Sequence, residues 1–349
     1  MPAAGKSGGR RACLDAGPLS RSPSWGTGGM TDQRAAMAMI ISCDRQLRDA
    51  NRGWGSRQTG LGALLLLLVG IGLLLSVAGV RAAPALWRFG DEDSTVYLFG
   101  TIHILRPQTR WRDARLDAVL ERANHFVFEL PEDRIDPLAA QKLVLKKGFL
   151  PADRTLAELL PPAVHERLLH TADRLGLPAT ALERMRPWYA ALQITVETAR
   201  QMGLQAQEGV DRVLAAYAKD RGVPIDGLET LEEQIDIFAG MPPQDEIAFL
   251  DSALVQAEQG KSLLLALEAA WTEGRLDDLA AILDRELEKY PRLLNRVLTA
   301  RNRHWLDRIV KLLHRPGVHF VAVGSAHLVG PDNLITMLKE RGIAVERLR

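Results

Sequence analysis

Short apolar runs separated by clusters of turn formers set the rhythm of the chain from residue 84 onward. "PALWRF" and "TVYLFG" flank "GDEDS" and predict two strands of a hairpin. "RDARLDAVLERAN" places Leu116, Val119, Leu120 and Ala123 at helical spacing, and the short β-rich run "HFVFEL" follows. Residues 131–202 are mostly helical in pattern, broken by "PAD", "LPP" and "GLP". "GVDRVLAAYAKDRG" predicts a helix that leads through Gly222 to the strand "VPIDGL". Helical patterns run again from 231 to about 313, ahead of "VHFVAVGSAH", the most apolar strand, a helix over "PDNLITMLKERG" and a closing strand "IAVERL". This order predicts an α/β fold: a central β-sheet with a large helical insertion that acts as a wall or lid over one end of the sheet.

A different pattern precedes this domain, which spans 84–349. Residues 1–59 are rich in Gly, Ser and Arg, without apolar periodicity, and read as a disordered or over-extended segment. The uncharged run Leu61–Val80 is long enough to cross a bilayer, and Arg45, Arg48, Arg52 and Arg57 precede it. Residues 60–83 therefore read as a signal peptide, with Val80 and Ala82 before the cut, or as a retained inner-membrane anchor. Either way the domain is expected outside the cytoplasm, periplasmic or anchored facing outward, with a true start at Met30, Met37 or Met39. Residues 84–349 carry 34 Lys and Arg against 39 Asp and Glu, and no basic stripe, which argues against nucleic acid. Both cysteines, Cys13 and Cys43, lie upstream of the apolar run, so disulfides and thiolate-held metals are excluded from the domain.

The candidate chemistry lies where four strands end. His103 follows "VYLFGTI", Glu129 ends "FVFE", Glu229 follows "PIDGL", and His327 follows "VAVGSA". Paired Gly-x-x-His motifs mark two of these strand ends, with the Gly expected to allow a tight turn, a positive φ or close approach to the backbone. Ligand sites gather outside the carboxyl ends of strands in open α/β sheets, and two imidazoles with two carboxylates suit a divalent metal. Bland readings stand beside each: core or capping roles for the histidines, an Arg salt bridge for Glu129, and a first-turn acid for Glu229 next to the capping box Thr230/Glu233. Arg301, in "TARNRHW", suits oxyanion stabilisation or a solvated cationic face. His125 and His319 begin strands and are expected at the opposite edge. Ser325 lacks a nucleophile elbow.

The segments "LFGTIHIL", "VFELPE", "GVDRVL", "PIDGLETLEEQ", "RNRHW" and "FVAVGSAHLVGPDNLITMLKERGIAVERL" together resemble the TraB/GumN family, which includes the animal Tiki proteins. The likeness runs from about Leu86 to Leu348. It implies metal-site roles for His103 and His327, an acidic role for Glu129, and further family positions at Glu229, Arg301 and Asn302. Ala300 departs from the family pattern, where many members have Glu before Arg-Asn. Tiki members are described as metal-dependent proteases that use ions such as manganese or cobalt. The expectation is an exported metal-dependent hydrolase of the metallopeptidase kind. It would act on a peptide or protein substrate, with manganese, cobalt or zinc held by His103, Glu129 and His327. Glu229 would be the general base, or a fourth ligand with Glu129 as base, and Arg301 would steady the oxyanion. A non-enzymatic haem- or metal-binding envelope protein is the alternative.

Overall fold

The computed structural model describes residues 83–348, apart from 132–133, 260 and 288–289. The readings of residues 1–82 lie outside the described residues. The hairpin forms as expected: β1, Leu86–Gly90, pairs antiparallel with β2, Ser94–Thr101. Its turn is fastened by Asp91, whose carboxylate accepts from the Ser94 backbone N–H at 2.9 Å. The remaining strands are β3, His125–Phe128; β4, Ile225–Gly227; β5, Gly317–Gly324; and β6, Glu346–Leu348. They form a six-stranded mixed sheet in the order β4-β3-β5-β2-β1-β6. β2, β3 and β4 run parallel with β5 or with each other, and β1 is antiparallel to both its neighbours.

Both faces of the sheet are covered, which is why β5 reads as a continuous apolar run rather than an alternating one. Val96, Leu98, Val321 and Val323 point into one core with Trp305 and Ile309 of the helix Ala300–Val310, and with Leu334 and Leu338 of the helix Leu334–Glu340. Tyr97, Phe99, Phe126 and Phe320 point into the other, against Leu116 and Leu120 of the helix Ala114–Arg122 and Val210 and Leu214 of the helix Val210–Asp220. The helical insertion has a core of its own, in which Leu168, Ile194, Leu250 and Leu254 are fully buried.

Helix starts follow their local chemistry. Asp113 accepts from Leu116 N, Asn333 accepts from Thr336 N, and Thr230 with Glu233 completes the anticipated capping box. The chain between Pro291 and Val310 is helical with one π-turn, Asn295–Thr299, just ahead of Arg301. Such π-turns often occur at functional sites because they re-aim the side chains that follow.

Candidate functional site

Parallel pairing brings the carboxyl ends of β2, β5, β3 and β4 to one edge, with Thr101 opposite Gly324, and Phe128 opposite both Ala322 and Gly227. Two further backbone bonds, Leu228 N to Phe128 O at 2.8 Å and Glu229 N to Glu129 O at 3.0 Å, carry the β3/β4 pairing past the strands. They set Glu129 and Glu229 side by side. Two like charges so placed need a cation between them, and Arg301 is that cation. Its Nη2 donates to Glu129 Oε2 at 2.6 Å and Glu229 Oε1 at 2.7 Å, and its Nε donates to Glu229 Oε2 at 3.1 Å. Nη1 donates to Val297 O, inside the π-turn, at 3.0 Å and lies 3.1 Å from His327 Nε2. The guanidinium also lies over the Trp305 ring, 4.4 Å from its centre. Arg301 is therefore no solvated face residue: only 12% of its side chain is exposed.

The hydrogen-bond partners fix the protons on His327. Its Nδ1 lies 2.6 Å from Asn302 Oδ1, an acceptor whose own amide nitrogen donates to Asp332 O at 2.9 Å. Nδ1 must then carry the proton, and Nε2 presents a lone pair to Arg301. Burial, and then the Arg301 and His103 charges, outweigh the pull of Glu129 and lower the His327 pKa to about 3, so the ring is neutral. Glu129 is ionised. Burial acts to raise its pKa, but His327 once protonated in acid, the Arg301 and His103 cations, and the Gly324 N–H, donating to Oε1 at 2.6 Å, hold it at about 2. The salt bridge anticipated as its bland reading is present, and it occupies one oxygen.

His103 is positioned from another direction. Val210 N donates to Ile102 O at 2.9 Å, which docks the loop after β2 on the start of the helix Val210–Asp220. Gly209 permits this approach, because a Cβ there would lie 2.3 Å from His103 O. Asp211 then reaches His103 Nδ1 at 3.1 Å. The imidazole is walled in yet open to the water of the cleft, with 60% of its side chain accessible. Its enclosure acts to lower the pKa, but the hydrogen bond and charge of Asp211, then Glu129, raise it to about 9.

The groups meet at Gly324. A Cβ there would lie 3.1 Å from Glu129 Oε1, 3.6 Å from His103 Nε2 and 3.7 Å from His327 Cδ2. Neither Gly100 nor Gly324 takes a positive φ. Of the reasons for Gly in the paired motifs, close approach is the one that operates: a Cβ on Gly100 would lie 3.1 Å from Ser325 Cα. All five singled-out residues, His103, Glu129, Glu229, Arg301 and His327, thus belong to one cluster. Among the described residues, however, no three His, Cys, Asp or Glu side chains are already arranged to hold a metal ion. Arg301 engages the His327 Nε2 lone pair, which a metal would use, and Glu129 Oε2, which leaves Oε1 turned to Gly324.

Asp211, Asn302 and Gln234, whose amide donates to Glu229 Oε1 at 3.0 Å, escaped sequence reasoning as positioning groups. His125 and His319 lie at the opposite edge as anticipated. Their Nδ1 atoms are 3.0 Å apart, and His125 Nε2 is 3.0 Å from Asp226. A cavity of about 520 Å³ opens on the cluster, lined by Thr101, His103, Glu129, Asp211, Arg212, Gln234 and Arg301 together with apolar residues of the helices around it. Glu229 and His327 lie behind it.

These features define an α/β protein with a His–Glu–Arg centre at the carboxyl edge of its sheet. The chain belongs to the TraB/PrgY/gumN family, whose profile matches residues 85–347. It is 26% identical over 243 residues to the uncharacterized protein YbaP of Escherichia coli, covering 70% of this chain and 87% of that one. It is 27% identical over 305 residues to the metalloprotease TIKI2 of Danio rerio, covering 72% of this chain, and it spans 58% of TIKI2's length. The metalloprotease TIKI homolog of Amphimedon queenslandica is 24% identical over 316 residues, covering 75% and 61%. No solved structure matches.

Proposed function

We propose that this protein is a metal-dependent hydrolase that cleaves peptide bonds outside the cytoplasm, either anchored in the inner membrane by residues 61–80 or released after them. The observation that carries the reading is the approach of His103 Nε2, Glu129 Oε1 and the His327 ring to one point above Gly324. Each imidazole is held through Nδ1 by an oxygen, the outer contact that fixes a histidine for ligation through Nε2. Two imidazole nitrogens and one carboxylate form a donor set that suits zinc, manganese or cobalt. A divalent ion there would polarise a carbonyl and lower the pKa of water. The relatedness to proteins named metalloproteases supports the same reading.

The chain's own groups divide the remaining work. His103 gives up its proton before it can ligate, and Arg301 must withdraw Nη1 from His327 Nε2. The guanidinium then faces the cavity beside Glu129, placed to receive negative charge that develops on a carbonyl oxygen. Glu229 holds Arg301 with both oxygens, so it accepts a proton only after one is released; Glu129 already faces the cavity. His103 does face the apolar wall of that cavity, as a haem ligand would, but Glu129 and Asp211 line it beside the imidazole, and acids so placed suit hydrolysis rather than haem capture.

Elemental analysis of the purified full-length protein and its His103→Ala variant, with digestion of a mixed peptide library, tests the proposal. One transition metal per chain and peptide cleavage, both lost in the variant, are expected. Failure to bind added manganese, cobalt or zinc, or undiminished cleavage by the variant, would overturn it. A reporter enzyme active only outside the cytoplasm, fused after Arg349, tests the placement.

A further inference from the structure

We propose that the apolar half of the cavity is a side-chain subsite that selects peptides with a large apolar residue, such as Leu or Phe, beside the bond at the His–Glu–Arg centre. The inference rests on the hydrolase reading for what happens at that centre, and on the cavity itself for the ligand class. The wall is formed by Leu130, Trp188, Leu192, Ile235, Phe238 and Val297. Trp188 and Leu192 stand one turn apart on the helix Pro187–Gln201, and Ile235 and Phe238 one turn apart on the helix Leu231–Ala239. Stacking stiffens the wall: Trp188 lies on Phe238 with ring centres 6.1 Å apart, and Phe238 on Phe249 at 5.6 Å.

The position of the wall says what covers it. It shares one continuous cavity with His103, Glu129 and Arg301, so a peptide held at the charged centre has the apolar wall beside it. Two contacts fix the halves in register. Gln234, next to Ile235, donates to Glu229 Oε1 at 3.0 Å, and the Val297 carbonyl accepts from Arg301 Nη1 at 3.0 Å. A volume of about 520 Å³ falls within the range of small-ligand sites and accommodates a bulky side chain beside a peptide unit. The six apolar side chains offer no partner to a buried carboxylate, so an acidic side chain is disfavoured against them; the cations Arg212 and Arg301 belong to the rest of the cavity.

Saturation-transfer NMR with two probes, N-acetyl-phenylalanine amide and N-acetyl-aspartate amide, tests the ligand class without any need for turnover. The full-length protein should bind the apolar probe roughly ten- to a hundred-fold more tightly. Leu192→Trp, which fills the subsite, should abolish the difference. Leu192→Ala, which enlarges it, should extend binding to a naphthylalanine analogue, and this variant serves if the Trp variant does not fold. Equal binding of the two probes, or an unchanged preference in a folded Leu192→Trp protein, would overturn the proposal. Cleavage of library peptides without apolar selection at the scissile bond would sink the subsite while leaving the hydrolase reading intact. Apolar selectivity in binding with no cleavage of any peptide would sustain the subsite and sink the hydrolase reading.

Discussion

Arg301→Ala is the perturbation with the largest calculable consequence. Arg301 makes three hydrogen bonds to two carboxylates and is itself buried, with Glu129 and Glu229 exposing 9% and 4% of their side chains. Removing one partner from a buried ion pair typically costs about 3–5 kcal/mol, because the charges left behind have lost their compensation and not recovered water. For a domain of this size that corresponds to a fall in Tm of roughly 6–20 °C. The pH dependence distinguishes this cause from lost packing against Trp305. In the native protein the cations around Glu129 hold its pKa at about 2 against the opposing effect of burial. Without Arg301 the burial effect is less opposed and the pKa rises, so the variant can protonate Glu129 while folded. The destabilisation should therefore be largest near neutral pH and shrink as pH falls through the raised pKa. Urea melts of both proteins across pH 4 to 8 measure it. Arg301→Lys, which keeps the charge but not the fork, should fall between the two. A variant within about 1 kcal/mol of the native protein at pH 7 would refute the idea that the guanidinium holds the two carboxylates in place.

Three other outcomes follow from the same geometry. Asp211→Asn and Asn302→Ala alter the Nδ1 contacts of His103 and His327, so each should weaken metal binding by roughly 10- to 100-fold in calorimetric titration; unchanged affinity would contradict the positioning role. Gly324→Ala puts a methyl 3.1 Å from a Glu129 oxygen, and should cost about 1–3 kcal/mol in a urea melt and abolish metal binding; a loaded, stable variant would show that the cradle tolerates it. Glu129, with a folded pKa of about 2 against an ordinary 4.5, contributes stability above pH 4.5 that is lost as pH falls toward 2. The stability gap between the native protein and Glu129→Gln should narrow across that range, and a gap independent of pH would point to packing instead.

The elements were legible because their signals are local. The runs "VYLFG" and "FVAVG" needed only chain order and apolar content to be read as buried strands, and the polar residue at each strand end followed at once. The roles of those residues depend on partners elsewhere in the chain. Glu229 could be read as a free base or a first-turn acid only while Arg301, 72 residues away, was unplaced. Arg301 was itself ambiguous, since Trp305, Leu306 and Ile309 mark the buried stripe of its helix and Arg301 lies on the border of it, aimed by a π-turn that has no signature in "NRVLT". Asp211 sits in the first turn of its helix, where acidic residues are ordinary, and what marks it is the Gly209 before it, a residue whose necessity appears only when the His103 loop lies against it. Asn302 lies inside a continuous helical stretch, where nothing in "RNRHW" shows that its amide is buried. The strand-end rule therefore finds residues that the fold brings together, while partners from elsewhere in the chain and burial decide which of them carry protons. In this centre burial keeps His327 a neutral lone-pair donor and Asp211 holds the proton on His103, two states for what the sequence writes as the same Gly-x-x-His motif.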